Sequence, residues 1–125
     1  MKPVDIERLI RTFLGKMLGT YLTKRKLVIG YDSKNKPQIH EFDLVSDDMS
    51  IIGEIKSGRK SRSNFLGALG DCLFLTKIEA KKKLLILTDK EFYRYFKIRS
   101  DGIISRDIEI MHILPEDLAL RIINT

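Results

Sequence analysis

Apolar residues recur at helical spacing over the first part of the chain. Between Pro3 and Leu22 they fall every three or four positions, so the pattern predicts an amphipathic helix whose apolar stripe runs from Ile6 to Tyr21. Pro3 suits the first turn, because its missing N–H would have no helical partner there. Glu7 borders the stripe, so the pattern predicts that this acid lies between the core and the solvent.

Three strand-like runs follow, and polar turns separate them. Alternating and branched apolar residues predict strands at 26–31, 38–46 and 49–57. The segment DSKNKP and the pair Asp47-Asp48 carry the residues that turns favour. Together the three runs predict an antiparallel meander.

Helix and strand patterns alternate in the second half of the chain. Apolar spacing predicts a helix at 64–80, and the nearly all-apolar run KLLILT at 83–88 predicts a strand covered on both faces. The remaining predicted elements are a short helix at 90–96, a strand within 103–114 and a helix over 115–123. A hairpin sheet followed by a helical crossover into a buried strand predicts an α/β fold, with a central mixed sheet flanked by helices.

The composition suits one compact domain over residues 1–125, because 43% of these residues are hydrophobic. The single cysteine, Cys72, excludes an internal disulfide and a cysteine-rich metal site. The sequence has no apolar run of membrane-spanning length and no apolar signal-peptide core. We therefore expect a cytoplasmic protein in a reducing compartment, with no membrane partner and no organic cofactor.

A net charge of +6 favours a polyanionic partner such as nucleic acid. Many small proteins are this basic for solubility alone, so the charge is informative only beside a defined site. Three basic residues, Arg59, Lys60 and Arg62, come directly after the third predicted strand. They would either contact backbone phosphates there or form a solvated loop.

Acids and a lysine lie on the second and third predicted strands. Residues two apart in a strand share a face, so Glu54 and Lys56 project together. A hairpin loop of two or four residues brings Glu41 and Asp43 to the same face, and a four-residue loop sets Asp43 directly opposite Glu54. The opposite, largely apolar face then carries His40, Phe42, Leu44, Ile51, Gly53 and Ile55. On that face we expect His40 to be a packed, hydrogen-bonded residue rather than a ligand.

This hairpin has two interpretations. An amphipathic hairpin with one charged face is ordinary protein surface, which would leave these side chains solvated. Neighbouring acids, however, repel one another unless a cation lies between them. Hard carboxylate oxygens bind Mg²⁺, which can activate water, and a nearby lysine can stabilise the extra charge on a phosphorus atom under attack.

Asp43, ten intervening residues and then Glu54-Ile55-Lys56 resemble the motif of the PD-(D/E)XK nuclease superfamily, which has the restriction endonuclease-like fold. The predicted order α-β-β-β-α-β is similar to the core of that fold, although Phe42 stands in place of the Pro of the motif. The resemblance implies a nuclease that uses Mg²⁺ or Mn²⁺ to hydrolyse DNA, with Holliday-junction resolvases as one subtype. A homodimer with two sites for two strands is a further hypothesis.

The resemblance also implies roles for individual residues. Asp43 and Glu54 would ligate the metal with the backbone carbonyl of Ile55, and Lys56 would position or deprotonate the attacking water. Glu7 would hold a second metal or a water on the first. Glu41 is either an additional acid of the site or a simple surface residue. The alternatives to a nuclease are a non-catalytic nucleic-acid-binding module of the same fold and a structural subunit with surface acids.

Overall fold

A five-stranded mixed sheet is the centre of the fold in the computed structural model, which describes residues 2–118. The elements are, in order, α1 (Pro3–Leu18), β1 (Leu22–Tyr31), β2 (Pro37–Ser46), β3 (Ile51–Lys56), α2 (Arg62–Leu75), β4 (Lys82–Leu87), α3 (Lys90–Arg99) and β5 (Ile108–His112). The strands lie side by side in chain order, with antiparallel pairing from β1 to β3 and parallel pairing from β3 to β5. The predicted α/β class, the antiparallel meander and the mixed sheet flanked by helices are confirmed.

Helices cover both faces of this sheet and bury a separate core on each. On one face, Ile10 and Leu14 of α1 pack against Leu44 and Ile55. On the other face, α2 and α3 pack against the sheet, and the buried residues of this core include Phe42, Val45, Ile52, Ala68, Cys72, Phe92 and Phe96. β4 lies between the two cores, and its residues 84–87 are at most 1% exposed. The strand predicted to be covered on both faces is therefore confirmed.

The first helix ends earlier than the sequence pattern predicts. Gly19 takes a left-handed conformation (φ 67°) that stops the helix after Leu18. The N–H of Thr20 then donates to the Gly15 carbonyl at 3.0 Å. Tyr21, which was predicted to lie in the apolar stripe, is 72% exposed. The prediction of a helix as far as residue 22 is wrong because a glycine within a regular apolar pattern ends the helix.

The remaining boundaries agree with the predictions to within a few residues, apart from two. β1 begins four residues before its predicted start, and α2 ends at Leu75 rather than near Ala80. Residues 115–118 are helical, and the rest of the predicted C-terminal helix lies outside the described residues. Within residues 2–118, no helix combines the length and the apolar character needed to cross a membrane.

The β2–β3 hairpin closes through a four-residue loop. Leu44 pairs with Gly53 and Val45 with Ile52, which is the register that sets Asp43 opposite Glu54. Asp48 holds the loop together, because its Oδ1 accepts the Ser50 N–H at 3.0 Å. The hydroxyl groups of Ser46 and Ser50 also donate to this oxygen. These hydrogen bonds lower the pKa of the Asp48 carboxyl to about 2.

A bulge in β2 changes which side chains share a face. Thr23 pairs with Val45 but Arg25 pairs with Phe42, so three steps along β2 match two along β1. Phe42 and Val45 therefore both face α2, and His40 stacks on an aromatic ring of α2 as well. The prediction that His40 and Phe42 lie on the face opposite Glu54 is wrong, because it assumed unbroken alternation along the strand.

Gly53 lies where β3 passes closest to its neighbours. A Cβ at this position would lie 2.9 Å from the Leu84 carbonyl oxygen and 2.9 Å from a methyl carbon of Leu44. We expect Gly53→Ala to lower the free energy of unfolding by about 1–3 kcal/mol in urea denaturation. Gly30→Ala, whose new Cβ would meet no atom within 4 Å, is the matched control and should change it by less than about 0.5 kcal/mol. Equal losses in the two variants would contradict this account.

Candidate metal centre

Asp43 lies at the point where β2 and β3 separate. Two residue pairs connect these strands. Beyond them, the group on β2 that accepts a backbone N–H of β3 is a side chain. Asp43 Oδ2 accepts the N–H of Ile55 at 2.8 Å. Its backbone carbonyl accepts a hydrogen bond from Arg11 Nη1 at 3.0 Å. The residue at the bulge is thus fixed from both sides, by β3 through its carboxylate and by α1 through its carbonyl.

Glu54 is the most deeply buried acid near this point. It is 4% exposed, and its Oε1 shares a hydrogen bond of 2.9 Å with His40 Nε2. Burial raises the pKa of the Glu54 carboxyl to about 10, and the neighbouring Asp43 and Asp71 carboxyls add to this effect. Lys56 acts in the opposite direction but does not offset the other causes. Within this protein environment, Glu54 therefore holds a proton at neutral pH.

Lys56 and Asp71 form an ion pair beside Glu54. Asp71 extends from α2, and its Oδ2 lies 3.1 Å from Lys56 Nζ. Burial raises the pKa of the Asp71 carboxyl, although the Lys56 ammonium partly counteracts it. A Cβ on Gly67 would lie 3.3 Å from Lys56 Nζ, so the lysine crosses α2 at a residue without a side chain. The ammonium group is therefore held close to the carboxyl groups of Asp71 and Glu54.

His40, Glu54 and Asp71 come together as a group that could hold a metal ion. One ligand atom from each lies within 4.8 Å of the others. Two carboxylate oxygens and one imidazole nitrogen are a donor set that suits Mn²⁺ and other first-row divalent ions, and carboxylates alone suit Mg²⁺. Asp43 borders the same group through its interaction with Glu54. The chemistry of these donors fits a divalent cation, which would relieve the repulsion among the carboxylates.

Glu7 and Glu41 belong to a second charged cluster, on the α1 side of the sheet. Lys24 Nζ lies 3.5 Å from Glu7 and 3.6 Å from Glu41, and Arg11 Nη1 lies 3.7 Å from Glu7. Glu7 makes the largest contribution to raising the pKa of Lys24. Because of the bulge, Glu41 does not share a face with Glu54. The prediction that a hairpin loop of two or four residues brings Glu41 to that face is therefore wrong. The ligand role of Glu7 stays a prediction, and its link to Asp43 in the structure runs through Arg11.

The basic loop after β3 is partly engaged in other contacts. Lys60 Nζ lies 3.8 Å from a carboxylate oxygen of Glu91 and 4.9 Å from the ring centre of Tyr95. Arg59 and Arg62 are exposed, and Arg62 begins α2. Both arginines remain accessible to a ligand at the end of β3. Phosphate binding by these three residues stays a prediction.

Sequence reasoning did not include Asp71 in the site, and it assigned His40 to the wrong face. A signal for Asp71 existed, since it is the one acid in α2, whose other residues beyond the first turn are mostly apolar or glycine. An acid in such a helix needs a buried partner. The expected packing of His40 is confirmed, because its ring stacks on Phe74 with centroids 4.2 Å apart. The hydrogen bond between His40 and Glu54 could not be predicted, because the bulge brings the two side chains to the same face and no sequence signal marks that bulge.

Comparison with known proteins gave no match, either among protein-family models or among curated proteins and solved structures. The resemblance to the PD-(D/E)XK superfamily therefore rests on the motif and on the order of the elements.

Proposed function

We propose that this protein is a divalent-metal-dependent nuclease that hydrolyses phosphodiester bonds in DNA. The observation that carries the proposal is the convergence of Asp43, Glu54 and Lys56 where β2 and β3 separate. The carboxyl groups interact directly, and the lysine is held beside them by Asp71. The PD-(D/E)XK resemblance of these residues supports the same activity.

Electrostatics favours a cation at this point. Asp43, Glu54 and Asp71 bring three carboxyl groups together, and the Lys56 ammonium is paired with Asp71. Without a cation, Glu54 avoids the repulsion by keeping a proton. Mg²⁺ or Mn²⁺ would replace that proton and bind Glu54 together with Asp43, or with His40 and Asp71. A bound metal would supply an activated water molecule and offset the charge that develops on the phosphate.

The side chains of the protein supply the other groups that phosphodiester hydrolysis needs. Lys56 carries an ammonium that can donate to a non-bridging phosphate oxygen or to the attacking water. Its ion pair with Asp71, at 3.1 Å, fixes the direction in which the amine points. Asp43 is held by the Ile55 N–H, so its second carboxylate oxygen is available as a ligand. In this way the three motif residues keep fixed positions before substrate arrives.

His40 gives the site a preference among metals that we can test. Imidazole nitrogen binds Mn²⁺ in preference to Mg²⁺, which favours oxygen ligands. We expect His40→Gln to weaken Mn²⁺ binding about 10-fold or more and to change Mg²⁺ binding much less, as measured by isothermal titration calorimetry. The Mg²⁺ titration is the internal control for folding. Equal losses for both ions, or no loss for either, would exclude His40 as a ligand.

The activity itself is tested by incubating wild-type protein with supercoiled plasmid, single-stranded DNA and branched DNA. Cleavage is expected with Mg²⁺ or Mn²⁺ and none is expected in EDTA. Metal and DNA binding without cleavage of any substrate would favour the non-catalytic nucleic-acid-binding module. Absence of metal binding in calorimetry would favour a structural subunit whose acids serve no metal.

A further inference from the structure

A basic groove lies on the α1 side of the sheet, between α1 from Arg8 onward and the start of β1. Its volume is about 840 Å³, and none of the residues that line it is acidic. Four of them are cationic: Arg8, Arg11, Lys16 and Lys24. The groove also contains the exposed ring of Tyr21 and the hydroxyl of Thr23.

The positive charge of the groove exceeds what the fold needs. Lys16 lies in the last turn of α1, where its charge suits the partial negative charge of the helix end without engaging an acidic side chain among the described residues. Arg11 and Lys24 share Glu7 as a partner. Arg8 and Lys16 form no ion pair with any residue in the described range 2–118. Two cations of the groove therefore remain available for an anionic ligand.

Tyr21 adds an aromatic surface at the edge of this groove. Because Gly19 ends α1 in a left-handed conformation, Tyr21 lies beyond the helix and is 72% exposed. Proteins that bind single-stranded nucleic acids combine a basic groove for the backbone with exposed aromatic rings on which bases stack. A volume of about 840 Å³ is in the range of small-ligand sites. It suits a few nucleotides of one strand better than a duplex.

We propose that this groove binds one unpaired strand of nucleic acid and leads it to Asp43, at the edge of the candidate metal centre. Arg8 and Lys16 would contact phosphates, and one base would stack on Tyr21. Arg11 connects the groove to the centre, because it lines the groove and donates to the Asp43 carbonyl at 3.0 Å. The direction of the strand rests on the proposed nuclease function, whereas strand binding is measurable on its own.

The phosphate contacts are tested by fluorescence anisotropy with a labelled oligothymidylate in EDTA at several salt concentrations. The variant Arg8→Gln with Lys16→Gln should bind less tightly at low salt. Its slope of log affinity against log salt should fall in magnitude by about 1.4, since each phosphate contact to a single strand contributes about 0.7. The matched control is Lys34→Gln with Lys36→Gln, which removes the same charge from the exposed turn before β2. Equal effects of the two double variants would overturn the proposal.

The stacking contact is tested in the same assay with Tyr21→Ala. We expect affinity for the oligonucleotide to fall about 5-fold or more, and affinity for a duplex of equal length to change little. Tyr31→Ala is the matched control, because Tyr31 lies at the other end of β1 and is 66% exposed. If both tyrosine variants bind alike, the assignment to an unpaired strand is wrong.

Two further outcomes separate this proposal from its rivals. Binding to phosphatidylserine vesicles without binding to the oligonucleotide would overturn it in favour of a membrane surface. Oligonucleotide binding that depends on Arg8, Lys16 and Tyr21, with no cleavage in Mg²⁺ or Mn²⁺, would support the groove and contradict the nuclease. Cleavage that does not depend on any of these three residues would support the nuclease and contradict the groove.

Discussion

Replacing Lys56 with alanine is expected to slow DNA cleavage by about 100-fold or more, while DNA binding changes little. The ammonium group acts mainly on the charge that develops as the phosphodiester is attacked, and loss of one such donor typically costs this much in rate. Asp43→Ala should lower the rate at least as far, because it removes a metal ligand. It also frees the Ile55 N–H that the carboxylate accepts at 2.8 Å.

The measurement is the nicking rate of supercoiled plasmid with enzyme in excess over DNA, with binding measured separately in Ca²⁺. Lys77→Ala is the matched control, since Lys77 is an exposed lysine just beyond α2 and far along the chain from the motif. Circular dichroism of each variant reports whether it is folded. If the Lys56 and Asp43 variants cut as fast as wild type, the site is wrong, whatever their affinity for DNA.

The metal-free protein is expected to lose stability as the pH rises from about 5 to 9, and Glu54→Gln should remove much of this loss. The pKa of Glu54 is about 10 in the folded chain, compared with 4.5 for a glutamate free of such an environment, as in the unfolded chain. Between these values the unfolded chain has released a proton that the folded chain keeps. Rising pH therefore favours unfolding, by up to about 1.4 kcal/mol per pH unit from this one group.

The direction of this effect is opposite to that of ordinary paired carboxylates. Hydrogen bonds lower the pKa values of Asp48 and Asp107, so their stabilisation is lost only in acid, below the pH range of the Glu54 effect. Burial raises the pKa of Asp71, which adds to the effect of Glu54. The difference between wild type and Glu54→Gln isolates the contribution of residue 54.

Urea denaturation in EDTA at pH 5, 7 and 9 measures this difference. Glu54→Gln should be more stable than wild type at pH 9 and close to it at pH 5, because glutamine is a neutral side chain of similar shape. Glu79→Gln, at an exposed position before β4, is the control and should follow wild type at each pH. A wild-type stability that stays level or rises between pH 5 and 9 would contradict the environment described for Glu54.

The local patterns were sufficient to predict most of the fold. Period-two alternation and turn residues gave the meander, and the apolar run KLLILT gave the buried strand β4. The four-residue hairpin loop was one of two registers allowed by the sequence, and pairing of Leu44 with Gly53 selects it. The end of α1 was missed because the apolar spacing continues through Gly19, although the backbone does not.

The candidate site was only partly predictable, for a physical reason. Glu54 and Lys56 lie on one continuous strand, so strand geometry alone predicted that they point together. His40 and Glu41 lie before a bulge, which exchanges the sides on which they project. Asp71 reaches the site from α2, and the packing of a helix on a sheet cannot be derived from the helix sequence alone.

The bulge at residues 43–44 makes the site depend on the length of β2 as well as on its composition. Deleting one residue there would restore simple alternation and turn the first half of the strand over. Phe42 would then point toward α1, and the Glu41 carboxylate would turn toward the apolar core beneath α2. The extra residue therefore determines which face of the sheet each side chain in the first half of β2 occupies. It keeps Glu41 beside Lys24 on the α1 side of the sheet and away from the buried acids, although Glu41 and Asp43 lie on the same strand.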